Sequence, residues 1–112
     1  MNELTREQIL AMPAGRELDA LVRKHVFGWS LIGDGRSKSP DGYQIRSIPD
    51  YSTDIAAAWE VAEKFETIEV KRFHTDKGLW FCEIKEKIWH RSYGATAPEA
   101  ICKAALLAVM GL

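Results

Sequence analysis

The C-terminal segment from residue 100 to residue 110 constrains the fold of this chain most, because Lys103 is its only charged side chain. Just before it, Thr96 and Glu99 have the spacing of a capping box, and Pro98 falls in the first turn, where a missing N–H group costs nothing. The segment predicts a helix that is apolar on almost every side. Such a helix must be covered on almost every side, either by other layers of the chain or by a second subunit. It is shorter than the ~18 apolar residues that a membrane span requires.

Three other segments have apolar residues at helical spacing: residues 5–12, 14–26 and 51–65. The last of these has the clearest pattern, with an apolar stripe of Ile55, Ala58, Trp59, Ala62 and Phe65. Ser52 or Thr53 is the expected N-cap, because hydroxyl side chains accept hydrogen bonds from the first free N–H groups. In the second helix, Asp19 and Arg23 are four residues apart and predict an ion pair on the side opposite the apolar stripe.

After residue 66 the periodicity changes from that of a helix to that of strands. Three segments read as strands, at residues 67–74, 79–85 and 88–93, with a turn at residues 75–78. Strands joined by short turns indicate an antiparallel meander. The whole pattern predicts one α+β domain spanning residues 1–112, in which a meander of about three to five strands packs between or against three to four helices. The stripe of the 51–65 helix is expected to pack on this meander.

Residues 30–50 differ in composition from the rest of the chain. They contain the turn-forming residues Gly33, Gly35, Pro40, Gly42 and Pro49, together with several serines. This composition predicts a variable loop or hairpin insertion, with short strands on either side of an exposed tip. Long segments of this kind in small domains are typically functional or disordered.

The bulk composition argues against several classes of protein. The formal net charge is −1, so no overall field draws the chain to nucleic acid or anionic lipid. Cys82 and Cys102 are far apart and predict two buried free thiols in a reducing compartment. The N-terminus lacks the basic and apolar regions of a secretion signal, and no window is apolar enough to span a membrane. We therefore expect a cytoplasmic protein with no membrane partner and no nucleic-acid partner.

Three blocks of sequence are distinctive in combination: residues 12–22 (MPAGRELDALV), 51–60 (YSTDIAAAWE) and 96–107 (TAPEAICKAALL). Together they resemble the phage ABA-sandwich domain proteins, a family of small bacteriophage and prophage proteins. The resemblance implies an antiparallel sheet with helices packed on it as an α/β/α sandwich, and a phage gene product that works in the host bacterial cytoplasm. It carries no catalytic motif over to this chain, and it does not extend to residues 30–47.

A candidate ligand site is predicted at the start of the 51–65 helix, where free N–H groups and the positive end of the helix dipole attract a phosphate or carboxylate. Basic side chains after a glycine-rich turn would add charge, and aromatic and arginine side chains on a sheet would stack on a nucleotide. The predicted ligand-binding residues are Tyr51, Ser52, Thr53, Arg36, Lys38, Trp89 and Arg91. The same features are also typical of an ordinary helix cap, a hairpin tip and a solvated sheet face.

No catalytic residue, metal ligand or cofactor is predicted. The three histidines lack the spacing of metal ligands. Cys82 and His90 would be neighbours across two strands, but no carboxylate is placed to orient the histidine, and a buried thiol is inert. Glu60 and Glu63 lie one turn apart, yet on the outer side of an amphipathic helix such residues are surface charges.

These features predict a non-catalytic binding protein, and the resemblance implies that it is phage-encoded. It would act in counter-defence by sequestering a small anionic, nucleotide-like ligand, as a homo-oligomer assembled through the 98–110 helix. One alternative is an interaction module that docks on a host or phage protein through residues 30–50 and the last helix, and inhibits it. A second alternative is a small hydrolase or nuclease, in which residues such as Cys82, His90 and the glutamates of the 51–65 helix would converge in a pocket.

Overall fold

The structure, a computed structural model, describes residues 4–73 and 79–112. This part of the chain contains four helices: α1 (Arg6–Ala11), α2 (Arg16–His25), α3 (Ile55–Ala62) and α4 (Ala97–Met110). It contains six strands: β1 (Ser30–Gly33), β2 (Arg36–Lys38), β3 (Ile45–Ser47), β4 (Thr67–Phe73), β5 (Leu79–Lys85) and β6 (Trp89–Gly94). The predicted α+β class is confirmed.

The strands form two antiparallel three-stranded sheets, with the orders β1-β2-β3 and β4-β5-β6. The larger sheet, β4-β5-β6, is the predicted meander. Strand β4 pairs with β5 from Thr67 opposite Lys85 to Phe73 opposite Leu79. Strand β5 pairs with β6 from Trp80 opposite Gly94 to Lys85 opposite Trp89. The turn predicted at residues 75–78 lies outside the described residues. The small sheet, β1-β2-β3, occupies the segment predicted as a loop or hairpin insertion.

Helix α4 is the middle layer of the fold. The larger sheet covers one side of it through β5 and β6, while α1, α2 and α3 pack on other sides. Residues 100–108 are all buried as a result. Of the two kinds of cover predicted for this helix, the structure shows burial within the chain. The oligomer interface through residues 98–110 stays a prediction, but the apolar surface that motivated it is already occupied.

Helix α3 buries only part of the predicted stripe, Ala58 and Ala62, and Phe65 just after the helix is also buried. Ile55 and Trp59, which belong to the predicted stripe, are about half exposed. The buried residues are the small ones, Ala57, Ala58, Val61 and Ala62. The reason is that α3 packs on α4 and not on the sheet. Close approach of two helices favours small side chains at the contact, so the bulky residues of α3 point elsewhere.

Hydrogen bonds at the helix ends show why the helices begin where they do. Thr5 and Gln8 form a reciprocal capping box at α1, and the hydroxyl of Thr96 accepts from the backbone N–H of Glu99 at α4. At α3 the predicted cap, Ser52 or Thr53, is wrong. Asp54 is the N-cap, and its carboxylate accepts from the backbone N–H of Ala56. None of the described helices is both long and apolar enough to cross a membrane.

Gly94 marks the closest approach of β6 to α4. A Cβ atom at this position would lie 2.9 Å from the backbone nitrogen of Ala100 and 3.1 Å from the Cβ of Glu99. The hydroxyl of Ser92, two residues earlier, donates to the backbone carbonyl of Ala100. Together these contacts leave no room between sheet and helix at this point.

The change Gly94→Ala should lower the free energy of unfolding by about 1–3 kcal/mol, because the added methyl group meets backbone atoms that cannot rotate away. Urea denaturation measures this change. As a control, Ala95→Ser alters the exposed neighbouring residue and should change stability by less than about 0.5 kcal/mol. Equal effects of the two substitutions would contradict the close approach.

Candidate functional site

Tyr51, the aromatic residue predicted to stack on a base, lies in the interior with 0% of its surface exposed. Its ring stacks on Phe27, with 5.1 Å between the ring centroids. Its hydroxyl accepts a hydrogen bond of 2.9 Å from the Nη1 of Arg23. In this conformation both the ring and the hydroxyl are engaged by the protein itself.

Ser52 connects the start of α3 to the start of α2. Its Oγ accepts from the backbone N–H of Gly15 at 2.8 Å, and its own N–H donates to the Oδ1 of Asp19 at 2.7 Å. These bonds explain why its hydroxyl does not cap α3. Thr53 is exposed, and its N–H donates to the carbonyl of Asp50 within a turn. The two hydroxyl residues therefore have different surroundings.

The arrangement of Asp19 and Arg23 differs from the predicted surface ion pair. Both are buried, and each forms hydrogen bonds to other residues. The Nε of Arg23 donates to the Oγ of Ser37 at 3.0 Å, and its guanidinium carbon lies 3.7 Å from the centroid of the Trp29 ring. Together with the bond to Tyr51, these contacts attach the small sheet to the helices. Spacing of four residues on a helix does not reveal such partners, because they are distant in sequence.

Burial raises the pKa of the Asp19 carboxyl above its ordinary value of 3.8, and the negative charge of Asp50 acts in the same direction. Hydrogen bonds from Ser52 oppose the rise. Asp19 is 3% exposed and also lines the cleft described next. Its carboxylate is thus a buried hydrogen-bond acceptor in the lining of this cleft.

A cleft of about 760 Å³ lies between the first turns of α2 and the β1–β2 hairpin. The hairpin turn consists of Asp34 and Gly35, whose φ angles of 54° and 70° are those of a type I′ turn. This bears out the hairpin-tip interpretation of the glycine-rich segment. The charged residues that line the cleft are Arg16, Glu17, Asp19, Asp34, Arg36 and Asp50. Of these, only Arg36 is among the ligand-binding residues that the sequence predicts.

The first turn of α2 opens onto this cleft. Its N-cap is Gly15, which has no side chain that could cap the first N–H groups of the helix. Arg16 begins the helix and Arg36 begins β2, so the cleft receives positive charge from two separate elements. Arginine side chains and free helix N–H groups bind anionic oxygens, and the carboxylates accept hydrogen bonds.

The remaining predicted site residues lie elsewhere. Lys38 is exposed at the end of β2 and does not line the cleft. Trp89 and Arg91 are on β6 in the larger sheet. Arg91 pairs with the carboxylate of Glu83 across the strands, and the Nζ of Lys85 lies 5.8 Å from the centroid of the Trp89 ring. Of the predicted set, the structure therefore places only Arg36 in the cleft.

Cys82 and His90 are not directly opposite each other on β5 and β6. Cys82 lies opposite Ser92, and His90 lies opposite Ile84. Burial raises the pKa of the Cys82 thiol to about 12, so the thiol is protonated at neutral pH and is a poor nucleophile. His90 is 3% exposed, and among the described residues its Nδ1 has no hydrogen-bond partner. Within residues 4–73 and 79–112, no cluster of three histidine, cysteine or acidic side chains could hold a metal ion.

Comparison with known proteins agrees with the fold. The family model of the phage ABA sandwich domain matches residues 20–106, and the chain belongs to this family. A solved structure, the 2.0 Å crystal structure of a phage protein from Bacillus cereus ATCC 14579, superposes with a TM-score of 0.76 and 29% sequence identity. The match covers 95% of this chain and 97% of that one. No curated protein matches the chain.

The substitution Ser52→Ala should lower the free energy of unfolding by about 1–3 kcal/mol, because the N–H of Gly15 loses its acceptor. Thr53→Ala removes an exposed side chain and should change stability by no more than about 0.5 kcal/mol. Thermal or urea denaturation of the two variants provides the comparison. If both variants were as stable as the wild type, the hydrogen bond between the Ser52 hydroxyl and the N–H of Gly15 would contribute nothing to the free energy of unfolding.

The variant Asp19→Asn keeps an acceptor for the N–H of Ser52 but no longer titrates. Because the folded state raises the pKa of Asp19, its contribution to stability is fully present below 3.8 and is lost as the pH rises through the folded-state pKa. The stability of the wild type relative to the variant should therefore fall as the pH rises from below 3.8 through the raised folded-state pKa. Urea denaturation at a series of pH values tests this. A difference that grew with pH would contradict the buried, raised-pKa carboxyl.

Proposed function

We propose that this protein is a phage-encoded, non-catalytic binding protein that sequesters a small anionic, nucleotide-like ligand in the cleft between α2 and the β1–β2 hairpin. It would do so in the cytoplasm of the bacterial host, as a counter-defence protein. The observation that carries the proposal is the convergence of Arg16 and Arg36 on one cleft from two separate elements. Membership of a phage protein family supports the proposed location in a bacterial host.

The size of the cleft fits a ligand of this kind. Its volume of about 760 Å³ lies within the range of pockets that hold drug-sized ligands and cofactors. Leu31 and Ile48 contribute apolar surface to the lining, against which a flat ring could pack. Inorganic phosphate would leave most of this space empty.

The charged side chains that line the cleft further restrict the kind of ligand that it can bind. The two arginines face four acidic side chains, Glu17, Asp19, Asp34 and Asp50. A simple anion would be repelled by these carboxylates. A ligand that combines a phosphate with hydrogen-bond donors, such as ribose hydroxyls or the amino group of a base, satisfies both kinds of side chain. The proposed site is therefore this cleft and not the segment at the start of α3, and Arg36 is the one predicted ligand-binding residue that it includes.

Isothermal titration calorimetry against a panel of mononucleotides, dinucleotides and cyclic nucleotides tests the proposal. Arg36→Gln and Arg16→Gln should each weaken binding about 10-fold to 100-fold, because a hydrogen bond to a charged group contributes about 1.5–3 kcal/mol. Lys38→Gln, on the same strand but outside the cleft, is the matched control and should bind as the wild type does. Absence of binding by the wild type at high micromolar ligand would remove the proposal.

A second candidate function is docking on a host or phage protein through the small sheet. The observation that favours it is the exposure of large apolar side chains there: Leu31, Ile32, Tyr43 and Ile45, of which Tyr43 is 89% exposed. Side chains of this type anchor protein interfaces. Native mass spectrometry of freshly purified protein separates the two functions, because a retained small molecule supports the first and a stoichiometric protein partner supports the second.

A further inference from the structure

The outer edge of β4 is open. Within residues 4–73 and 79–112, β5 is the only strand that pairs with β4. The strand is seven residues long and contains neither glycine nor proline. Native proteins usually protect such edges, because their unpaired N–H and C=O groups readily pair with another strand.

The two edges of the larger sheet differ in their cover. Helix α4 lies over β5 and β6 and reaches β4 only slightly. On β6, the residues on the α4 side, His90, Ser92 and Gly94, are buried. On β4, the equivalent residues Ile68 and Val70 pack against the core but are only partly buried. Among the described residues, the β4 edge therefore has incompletely covered apolar side chains as well as unpaired backbone groups.

The charges on the opposite face of β4 are arranged symmetrically about Val70. Glu69 and Lys71 flank this residue, both are about half exposed, and their side chains are 3.2 Å apart. An antiparallel copy of β4, related by a two-fold axis through Val70, would place Glu69 opposite the partner's Lys71. The same pair would occur twice, because the contact is isologous.

Neighbouring registers lack this match. Centring the pair on Glu69 places two glutamates opposite each other, and centring it on Lys71 does the same with two lysines. Opposite charges in directly facing positions stabilise a strand pair, and like charges destabilise it. The charge pattern therefore selects one register for a pair of identical strands.

We propose that two copies of this chain pair through β4, antiparallel and centred on Val70, so that their larger sheets join into one six-stranded sheet. This is strand addition at a sheet edge, with a second copy of the chain as the added strand. On the α4 side the two Val70 side chains meet, and each Ile68 faces the partner's Arg72. The interface uses none of the residues that line the cleft. The test of dimer formation and the test of ligand binding therefore have independent outcomes.

Sedimentation velocity over a wide range of protein concentration tests the interface. Glu69→Lys alone and Lys71→Glu alone should each weaken self-association about tenfold or more, because each turns two attractive pairs into repulsive ones. An equimolar mixture of these two variants should dimerise again, since every lysine of one chain then faces a glutamate of the other. The double variant E69K/K71E should self-associate as the wild type does.

The mixture is the decisive arm, because it restores only the pairs between chains and not the pair within each chain. Val109→Glu, at the exposed end of α4, is the control for an interface through residues 98–110 and should leave the dimer unchanged. A wild type that is monomeric at every concentration overturns the proposal. A dimer that resists both charge changes, a mixture that stays monomeric, or a dimer abolished by Val109→Glu overturns it as well.

Discussion

The fold depends on the need of α4 to be covered on opposite sides. Residues 100–108 expose no polar side that could face water, and even Lys103 is buried, where its Nζ donates to the carbonyl of Leu10 and to the carboxylate of Glu99. A sheet can cover only one side of a helix. The other helices must therefore pack on the remaining sides. This requirement explains why small residues face α4 from α3 and why only glycine fits where β6 approaches it.

The candidate site depends on a second interaction, the buried guanidinium of Arg23. This group is 8% exposed and is held by two hydroxyls and an aromatic ring. Burying a charge is costly unless hydrogen bonds compensate for lost water. The hydroxyls and the ring come from the small sheet, the segment before it and the turn before α3. Arg23 thereby holds the small sheet beside α2, and the cleft is the space that this position leaves between them.

Sequence reasoning was most accurate where the signal is local. The capping residue of α4, the meander and the apolar character of the last helix were all predicted, because each is set by neighbours within a few residues. Predictions were wrong for residues whose partners are far apart in sequence. Asp19 and Arg23 read as a surface pair, but each is satisfied by residues from other elements. Ile55 and Trp59 were predicted to be buried, but the residues that α3 buries are the small ones. Arg36 was chosen for its charge, yet nothing local showed that Arg16 would line the same cleft.

By itself, the sequence determined the kinds of elements, their order and the family to which the chain belongs. Periodicity and capping are physical properties of short segments, and they act before the chain is packed. Only the tertiary structure decided that α4 would be covered by its own chain, that Tyr51 and Ser52 would face inward, and that two arginines would share a cleft. These outcomes depend on which surfaces meet. The contacts between distant parts of the chain are determined by how much apolar area they bury and by whether the buried polar groups find hydrogen-bond partners.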